Sequence, residues 1–142
     1  MPKIYESKNV LDAAFERLTL IFERFDSVYF AVSGGKDSGV MVQLAEIVAA
    51  RMNRTYDVLY IDFEAQYAHT IDYINRLKTL PHIGKFYHVA LPMALRNAVS
   101  MLQPKWICWD EEARDLWVRP LPEDDDFFEN VWRAYRENGN VY

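Results

Sequence analysis

A short run of serine, glycine, lysine and aspartate is the part of the sequence best suited to chemistry. It reads Ser33-Gly34-Gly35-Lys36-Asp37-Ser38 and lies where an apolar run, predicted to be a strand, gives way to a predicted helix. Ligands of open parallel sheets lie beyond the carboxyl ends of the strands, where backbone N–H groups and the helix dipole favour an anion. Glycines let a phosphate approach the main chain closely, and Lys36 would add a positive charge. The run therefore predicts a phosphate-binding loop.

The other members of the run have roles under the same hypothesis. Ser33 and Ser38 supply hydroxyl donors, and Asp37 either caps the helix or binds a magnesium ion that the phosphates hold. The spacing of the run differs from that of the nucleoside-triphosphate P-loop, the dinucleotide-binding site and the hydrolase nucleophile elbow. A plain glycine turn before a capped helix is the alternative, but such a turn needs neither Lys36 nor both serines.

The elements that must position this loop alternate between strands and helices. Apolar positions at three- and four-residue steps predict an amphipathic helix over residues 9–25, with Asn9 as its N-cap. Apolar runs predict strands at 28–32, 58–61 and 86–90, the first of them buried on both faces, and helices follow the first two strands. This alternation indicates a doubly wound α/β fold, with a mainly parallel sheet and helices on both faces.

Beyond the third strand the patterns are mixed. Residues 93–102 have helical spacing, and the stretch Trp106-Ile107-Cys108-Trp109 fits either a short edge strand or a packed loop. The acidic residues 123–126 precede apolar positions from Phe127 onward, which predicts a last helix with acids at its positive end.

Composition limits the class of protein. With 142 residues and 51% hydrophobic residues, the expectation is one packed nucleotide-binding domain over residues 1–142, either a whole protein or the N-terminal part of a larger architecture. A net charge of −5 argues against strong direct nucleic-acid binding. The sequence has no apolar run long enough for a membrane span and no secretory signal, so a cytoplasmic protein is expected. One cysteine and three scattered histidines argue against disulfide and zinc scaffolds.

The loop and its Ala31-Val32 lead-in resemble the PP-loop of the ATP pyrophosphatase superfamily. Asp62 stands where that family often ends its second strand. More narrowly, the segments 62–67, 106–109 and 115–119 resemble the phosphoadenosine phosphosulfate reductase-like domain of bacterial and prophage proteins described as co-activators of immunoglobulin-binding protein expression. The resemblance implies an adenine nucleotide alpha hydrolase-like fold, with a sheet that is either cut down or completed by another chain.

This resemblance also implies a site and a reaction. The phosphates of ATP or a related adenine nucleotide would be held by Ser33, Gly34, Gly35, Lys36, Asp37 and Ser38, with Mg²⁺ bound at Asp37. The backbone of Ala31 and Val32, together with Asp62 and Phe63, would border the adenine and ribose. A substrate oxygen would attack the α-phosphate, giving an adenylylated product and pyrophosphate, with Lys36 and Asp37 as the catalytic residues.

Two further functions are weighed against adenylyl transfer. Sulfonucleotide reductases use a cysteine in a C-terminal tail, and this sequence ends in Asn140-Val141-Tyr142, so reductase chemistry is not expected. A catalytically inactive nucleotide-binding protein that regulates through a partner chain is the alternative function. By resemblance, that partner would be a ParB-like protein, and a homo-oligomer is the other assembly considered.

Other polar residues receive mainly structural interpretations. Convergence of Asp37, Asp62 and Glu64 on a metal ion is weighed equally against separate roles in ribose contact and helix capping. The sequence favours a buried structural thiol at Cys108 over a nucleophile. Surface or rim positions are expected for His69, His82 and His88. Three basic residues, Lys105, Arg114 and Arg119, are expected to be solvated. The alternative is that they form a second anion site, for a sulfate or the 3′-phosphate of a sulfonucleotide.

Overall fold

The computed structural model describes residues 7–97 and 99–123. The first helix, α1, spans Val10–Arg24, and the side chain of Asn9 caps it by accepting a 2.8 Å hydrogen bond from the backbone N–H of Asp12. The predicted helix over residues 9–25 and its N-cap are therefore confirmed. Across the described ranges, no helix combines the length and the apolar character that crossing a membrane requires.

A three-stranded parallel sheet forms the centre of the fold, in the order β1-β2-β3. Its strands are β1 (Tyr29–Val32), β2 (Tyr56–Asp62) and β3 (Ile83–Ala90). The crossovers contain helices α2 (Lys36–Met52) and α3 (Ala68–Leu77). The α/β class and the parallel sheet flanked by helices are confirmed, because apolar strand runs and helical spacing are both local sequence signals. The three parallel strands in the described ranges are consistent with a cut-down sheet.

One face of this sheet is buried. Phe30 in β1 is paired with Val58 in β2, and both side chains lie in the core. The ring centroid of Phe22 in α1 is 6.3 Å from that of Phe30, and α2 and α3 add buried side chains to the same core. The prediction that the first strand is buried on both faces is wrong, because its side chains alternate and Tyr29 is 65% exposed.

A second, antiparallel sheet follows β3. Strands β4 (Met93–Arg96) and β5 (Lys105–Cys108) form a hairpin, and a 3₁₀ helix spans Glu111–Leu116. The helix predicted over residues 93–102 is wrong, because Leu95 instead pairs across the hairpin with Trp106 and packs in a small second core. The edge-strand reading of the tryptophan-rich stretch is confirmed. The helix predicted after the acidic run lies outside the described residues.

Candidate functional site

The phosphate-loop sequence and the end of β2 meet at one edge of the sheet. Val32 is paired with Tyr60, and Tyr60 is paired with His88, so the three parallel strands end side by side. The loop of residues 33–38 leaves β1 at this edge, and residues 62–64 leave β2 beside it. This edge is where parallel α/β sheets bind their ligands.

Two glycines allow α3 to pack closely against the loop and the start of α2. Gly34 has a φ of +79°, which side chains rarely tolerate, and a Cβ there would lie 2.4 Å from Cγ2 of Thr70. A Cβ on Gly39 would lie 2.5 Å from the hydroxyl of Tyr73. The path of the loop therefore depends on glycine at position 34, and the close contact of Tyr73 with α2 depends on glycine at position 39.

The two serine hydroxyls shape the loop. Ser38 Oγ donates to the carbonyl of Gly35 at 3.1 Å and accepts from the backbone N–H of Ser33 at 3.2 Å. The two serine Oγ atoms lie 3.2 Å apart, and Ser33 Oγ accepts from the backbone N–H of Gly35 at 3.3 Å. These contacts fold the loop back over the first turn of α2.

The amino end of α2 is open to an anion. Gly35 is the N-cap and provides no side-chain hydrogen bond to the first turn. The first N–H groups of a helix lack partners within it, and the dipole of this 17-residue helix places partial positive charge there. Lys36 and Asp37 are exposed beside these groups. The interpretation of Asp37 as the helix cap is wrong, because Asp37 is the second residue inside the helix.

The residues expected to border adenine and ribose differ in exposure. Ala31 is exposed, Val32 is buried, and the ring of Phe63 is 36% exposed. Asp62 is fully buried. Ala31 and Phe63 are therefore the residues of this set that reach solvent.

Asp62 lies at the centre of a buried polar network. Its Oδ2 is 2.8 Å from Nε2 of His88, and its Oδ1 accepts hydrogen bonds from the backbone N–H of Glu64 and from Nη2 of Arg119. Burial by itself raises the pKa of Asp62, but the hydrogen bonds from His88 and Arg119 outweigh burial and hold the pKa below its ordinary value of 3.8. Asp62 is therefore ionised at neutral pH.

His88 connects this carboxylate to α3. Its Nδ1 lies 2.9 Å from Nζ of Lys78, the C-cap residue of α3. An ammonium group only donates, so Nδ1 accepts and the proton of the neutral ring lies on Nε2, which donates to Asp62. The expectation that His88 is a surface or rim residue is wrong, since it is 4% exposed. His69 is exposed and His82 is half-buried beside Glu46, in line with that expectation.

Glu64 binds the segment that follows the hairpin. It has a φ of +65° and is 3% exposed. Its carboxylate accepts from the backbone N–H groups of Trp109 at 2.6 Å and Val118 at 3.1 Å, and its carbonyl accepts from Nε of Arg119 at 2.8 Å. Nε1 of Trp109 also donates to the carbonyl of Asp62 at 2.7 Å. We call the side chains of Asp62, Glu64, Trp109 and Arg119 the latch.

The latch changes the interpretation of the basic residues and of the acids. Arg119 is bonded to Asp62 and Glu64, so the expectation that it is solvated is wrong, and Nε of Arg114 pairs with Glu111 at 3.1 Å. Asp62 and Glu64 are likewise engaged by protein groups. In residues 7–97 and 99–123, no group of three or more His, Cys, Asp and Glu residues is arranged to hold a metal ion. Asp37 does not converge with the other two acids in such a group.

Sequence spacing did not predict the latch or the bond between His88 and Asp62, because their members are far apart along the chain. Asp62 is 26 positions from His88 and 57 from Arg119. The available signal was the pair of acids Asp62 and Glu64 at the end of a buried strand. Buried carboxylates need cationic or N–H partners, so such partners could have been expected elsewhere in the chain.

Comparison with known proteins agrees with this architecture. Residues 27–103, which include β1, the loop, β2, β3 and β4, match the phosphoadenosine phosphosulfate reductase domain. The chain is 42% identical over 126 residues to the uncharacterized protein YbdN of Escherichia coli strain K12, a match that covers 84% of this chain and 30% of YbdN. The chain thus spans less than a third of that relative's length. No solved structure matches it significantly.

The family match covers more than half of the chain and contains the whole parallel sheet. Members of this family share the adenine nucleotide alpha hydrolase-like fold and typically bind adenine nucleotides. The chain therefore belongs to the phosphoadenosine phosphosulfate reductase domain family.

Proposed function

We propose that the chain forms one nucleotide-binding domain that holds the phosphates of ATP, or of a related adenine nucleotide, at residues 33–38. The observation that carries this proposal is the open amino end of α2 at the carboxyl edge of the sheet, with Lys36 exposed beside it. Backbone N–H groups, a helix dipole and one ammonium group together suit a polyphosphate. The close packing of Gly34 against Thr70 supports a loop of defined shape.

The adenine and ribose would lie across the ends of β1 and β2. Ala31 and Phe63 offer exposed surface there. Because Asp62 is fully buried, with its carboxylate bonded to His88 and Arg119 and its carbonyl bonded to Trp109, it would act by holding the turn in position. Val32 would border the nucleotide through its backbone.

The proposed reaction is adenylyl transfer. A substrate oxygen forms a bond to the α-phosphorus, the bond from that phosphorus to the α–β bridging oxygen breaks, and pyrophosphate leaves with the electron pair. Lys36 would offset negative charge on the departing pyrophosphate. One exposed carboxylate fits Mg²⁺, which is usually bound by one or two carboxylates together with phosphates and water, so Asp37 would hold it. When bound, Mg²⁺ would neutralise further phosphate charge.

Nucleotide binding without turnover is the second candidate function. The observation that favours it is that Asp62 and Glu64 are bonded within the latch. Of the three acids Asp37, Asp62 and Glu64, Asp37 is the one exposed at the loop, where it could bind a metal ion or take part in a reaction. In that case the domain would be a regulatory or co-activator protein that acts through a partner chain. A ParB-like protein is the partner that the resemblance implies.

A calorimetric titration with ATP and Mg²⁺, followed by a pyrophosphate assay of the same samples, tests both candidates. The Lys36→Ala variant should bind ATP about tenfold more weakly, because it loses a charge-assisted contact to phosphate. Lys85→Ala is the matched control, since Lys85 is exposed on β3 away from the loop, and its affinity should equal that of the wild type.

The outcomes of this titration separate the proposals. Binding with pyrophosphate release supports adenylyl transfer, and binding without release supports the regulatory function. Equal affinities for wild type and Lys36→Ala would remove Lys36 from the site. An absence of ATP binding would contradict both.

A further inference from the structure

The loop between β4 and β5 exposes three apolar side chains almost completely. Val99, Met101 and Leu102 are 96%, 98% and 99% exposed. Single exposed apolar residues are ordinary on protein surfaces, but three within four positions concentrate apolar surface in one loop, and concentrated exposed apolar surface marks interaction sites.

Hydrogen bonds join several of the described residues of this loop. The N–H of Asn97 donates to the carbonyl of Pro104 at 2.9 Å, and Oδ1 of Asn97 accepts from the N–H of Val99 at 2.9 Å. The N–H of Gln103 donates to Oγ of Ser100 at 3.2 Å. The apolar side chains therefore lie in a segment that is hydrogen-bonded at Asn97, Val99 and Gln103.

Two cations lie directly opposite each other at the base of the turn. Arg96 in β4 is the cross-strand partner of Lys105 in β5, and both are exposed. Like charges in this arrangement repel. Over the described part of the chain, neither side chain is paired with a carboxylate. An acidic group from outside would relieve this repulsion.

The hairpin is anchored to the body of the domain by the latch. β5 ends at Cys108, and the next residue, Trp109, is fully buried and bonded to Glu64 and Asp62. A surface that is already ordered loses less conformational entropy on binding. The base of this hairpin is therefore held in place before any contact forms.

We propose that the tip surface, formed by Arg96, Val99, Met101, Leu102 and Lys105, docks a partner protein whose contact segment has carboxylates flanking apolar side chains. The apolar residues would be buried against the partner, and the two cations would pair with its acids. An anionic membrane is a poorer fit, because the chain carries a net charge of −5 and the tip surface offers two cations where lipid-binding segments cluster about four or more. This proposal does not depend on nucleotide binding.

Fluorescence anisotropy with a labelled probe peptide tests the proposal. The probe is a short synthetic peptide in which Asp and Glu flank Leu and Phe, and its neutral counterpart has Asn and Gln at the acidic positions. The whole chain should bind the acidic peptide about tenfold more tightly than the neutral one, and added salt should weaken the binding.

Variants of the tip surface connect binding to these residues. The double substitutions Met101→Ser with Leu102→Ser, and Arg96→Gln with Lys105→Gln, should each weaken acidic-peptide binding about tenfold. Val10→Ser and Lys85→Gln are matched controls at exposed sites on α1 and β3, and should bind like the wild type. Circular dichroism melting curves show whether each variant is folded. Peptide affinities are compared only between tip variants and control variants that are folded.

Four outcomes would overturn the proposal. These are no binding of the acidic peptide, equal binding by wild type and both tip variants, preferential binding to phosphatidylserine vesicles that the tip substitutions abolish, and self-association of the chain that they abolish. The last two would assign the surface to a membrane or to a second copy of the chain.

Discussion

Nε2 of His88 lies 2.8 Å from Oδ2 of Asp62, and both side chains are buried. The other oxygen of the same carboxylate accepts from Arg119, and the far nitrogen of the imidazole lies beside Lys78. One carboxylate at the end of β2 thereby joins the third strand, the end of α3 and the segment after the hairpin. The turn that borders the proposed nucleotide site is held by these bonds.

Removing the charge of Asp62 should destabilise the fold. Asp62→Asn leaves Arg119 facing a neutral amide in a buried site, and breaking a buried ion pair on one side costs about 3 kcal/mol. Urea unfolding followed by tryptophan fluorescence measures the loss. Asp72→Asn, at an exposed position of α3, is the matched control and should change the free energy of unfolding by less than about 0.5 kcal/mol. Equal effects of the two substitutions would contradict a stabilising network.

The contribution of Asp62 should also depend on pH in a defined direction. Its folded-state pKa is lowered below 3.8, so protonation is disfavoured in the folded protein relative to the unfolded chain. The contribution of the ionised carboxylate to the free energy of unfolding is complete above the unfolded-state pKa, and it is lost as the pH falls through the folded-state pKa. The difference in free energy of unfolding between wild type and Asp62→Asn should therefore be constant from about pH 7 to pH 5 and shrink below about pH 4. A difference that grows in acid would contradict the lowered pKa.

Gly34→Ala should destabilise the loop through two separable causes. A positive φ costs a side chain about 1 kcal/mol, and the added Cβ would lie 2.4 Å from Cγ2 of Thr70. Thr70→Ser removes that methyl group, so the double variant should be more stable than the sum of the single effects predicts. Thermal unfolding of the four proteins gives the coupling.

Gly35→Ala is the matched control for Gly34→Ala. Gly35 has a φ of −80°, and its nearest contact for a new Cβ is Ser33 Oγ at 3.3 Å. Its substitution should cost less than that of Gly34. Strict additivity between Gly34→Ala and Thr70→Ser would show that the predicted clash does not occur.

Cys108 should be unreactive in the folded protein. Burial raises the pKa of its thiol from 9.0 to about 11, which reduces the thiolate fraction near neutral pH about a hundredfold. As this is the single cysteine of the chain, labelling by a disulfide reagent reports on it alone. Labelling should be slow in buffer and fast in urea. In the Cys108→Ser background, Val99→Cys introduces an exposed thiol and should label rapidly without urea; slow labelling of both folded proteins would point to the reagent rather than to burial.

The elements whose evidence is local were predictable from the sequence. The apolar spacing of α1, the cap at Asn9 and the strands around the glycine loop depend on neighbours within a few positions, and all are present. The hairpin of β4 and β5 was not predicted, because Leu95 and Trp106 are eleven positions apart and their pairing overrides weak helical spacing.

The candidate site was predictable in part for the same reason. The loop of residues 33–38 is contiguous in sequence, and the register of β1 and β2 brings it beside Asp62. The partners of Asp62 could not be read from spacing, since His88 and Arg119 come from distant segments. The resemblance to the reductase-like domain pointed to Asp62, but it did not predict the hydrogen bonds that the carboxylate of Asp62 accepts.

The most direct test of nucleotide binding at the loop is a titration of the ¹⁵N-labelled chain with ATP and Mg²⁺, followed through the backbone amide resonances. If the loop binds the phosphates, the shifts will be saturable and largest for residues 34–38, with smaller shifts at Phe63. Saturable shifts confined to other residues, or no shifts at all, would contradict the proposal that this loop binds the phosphates.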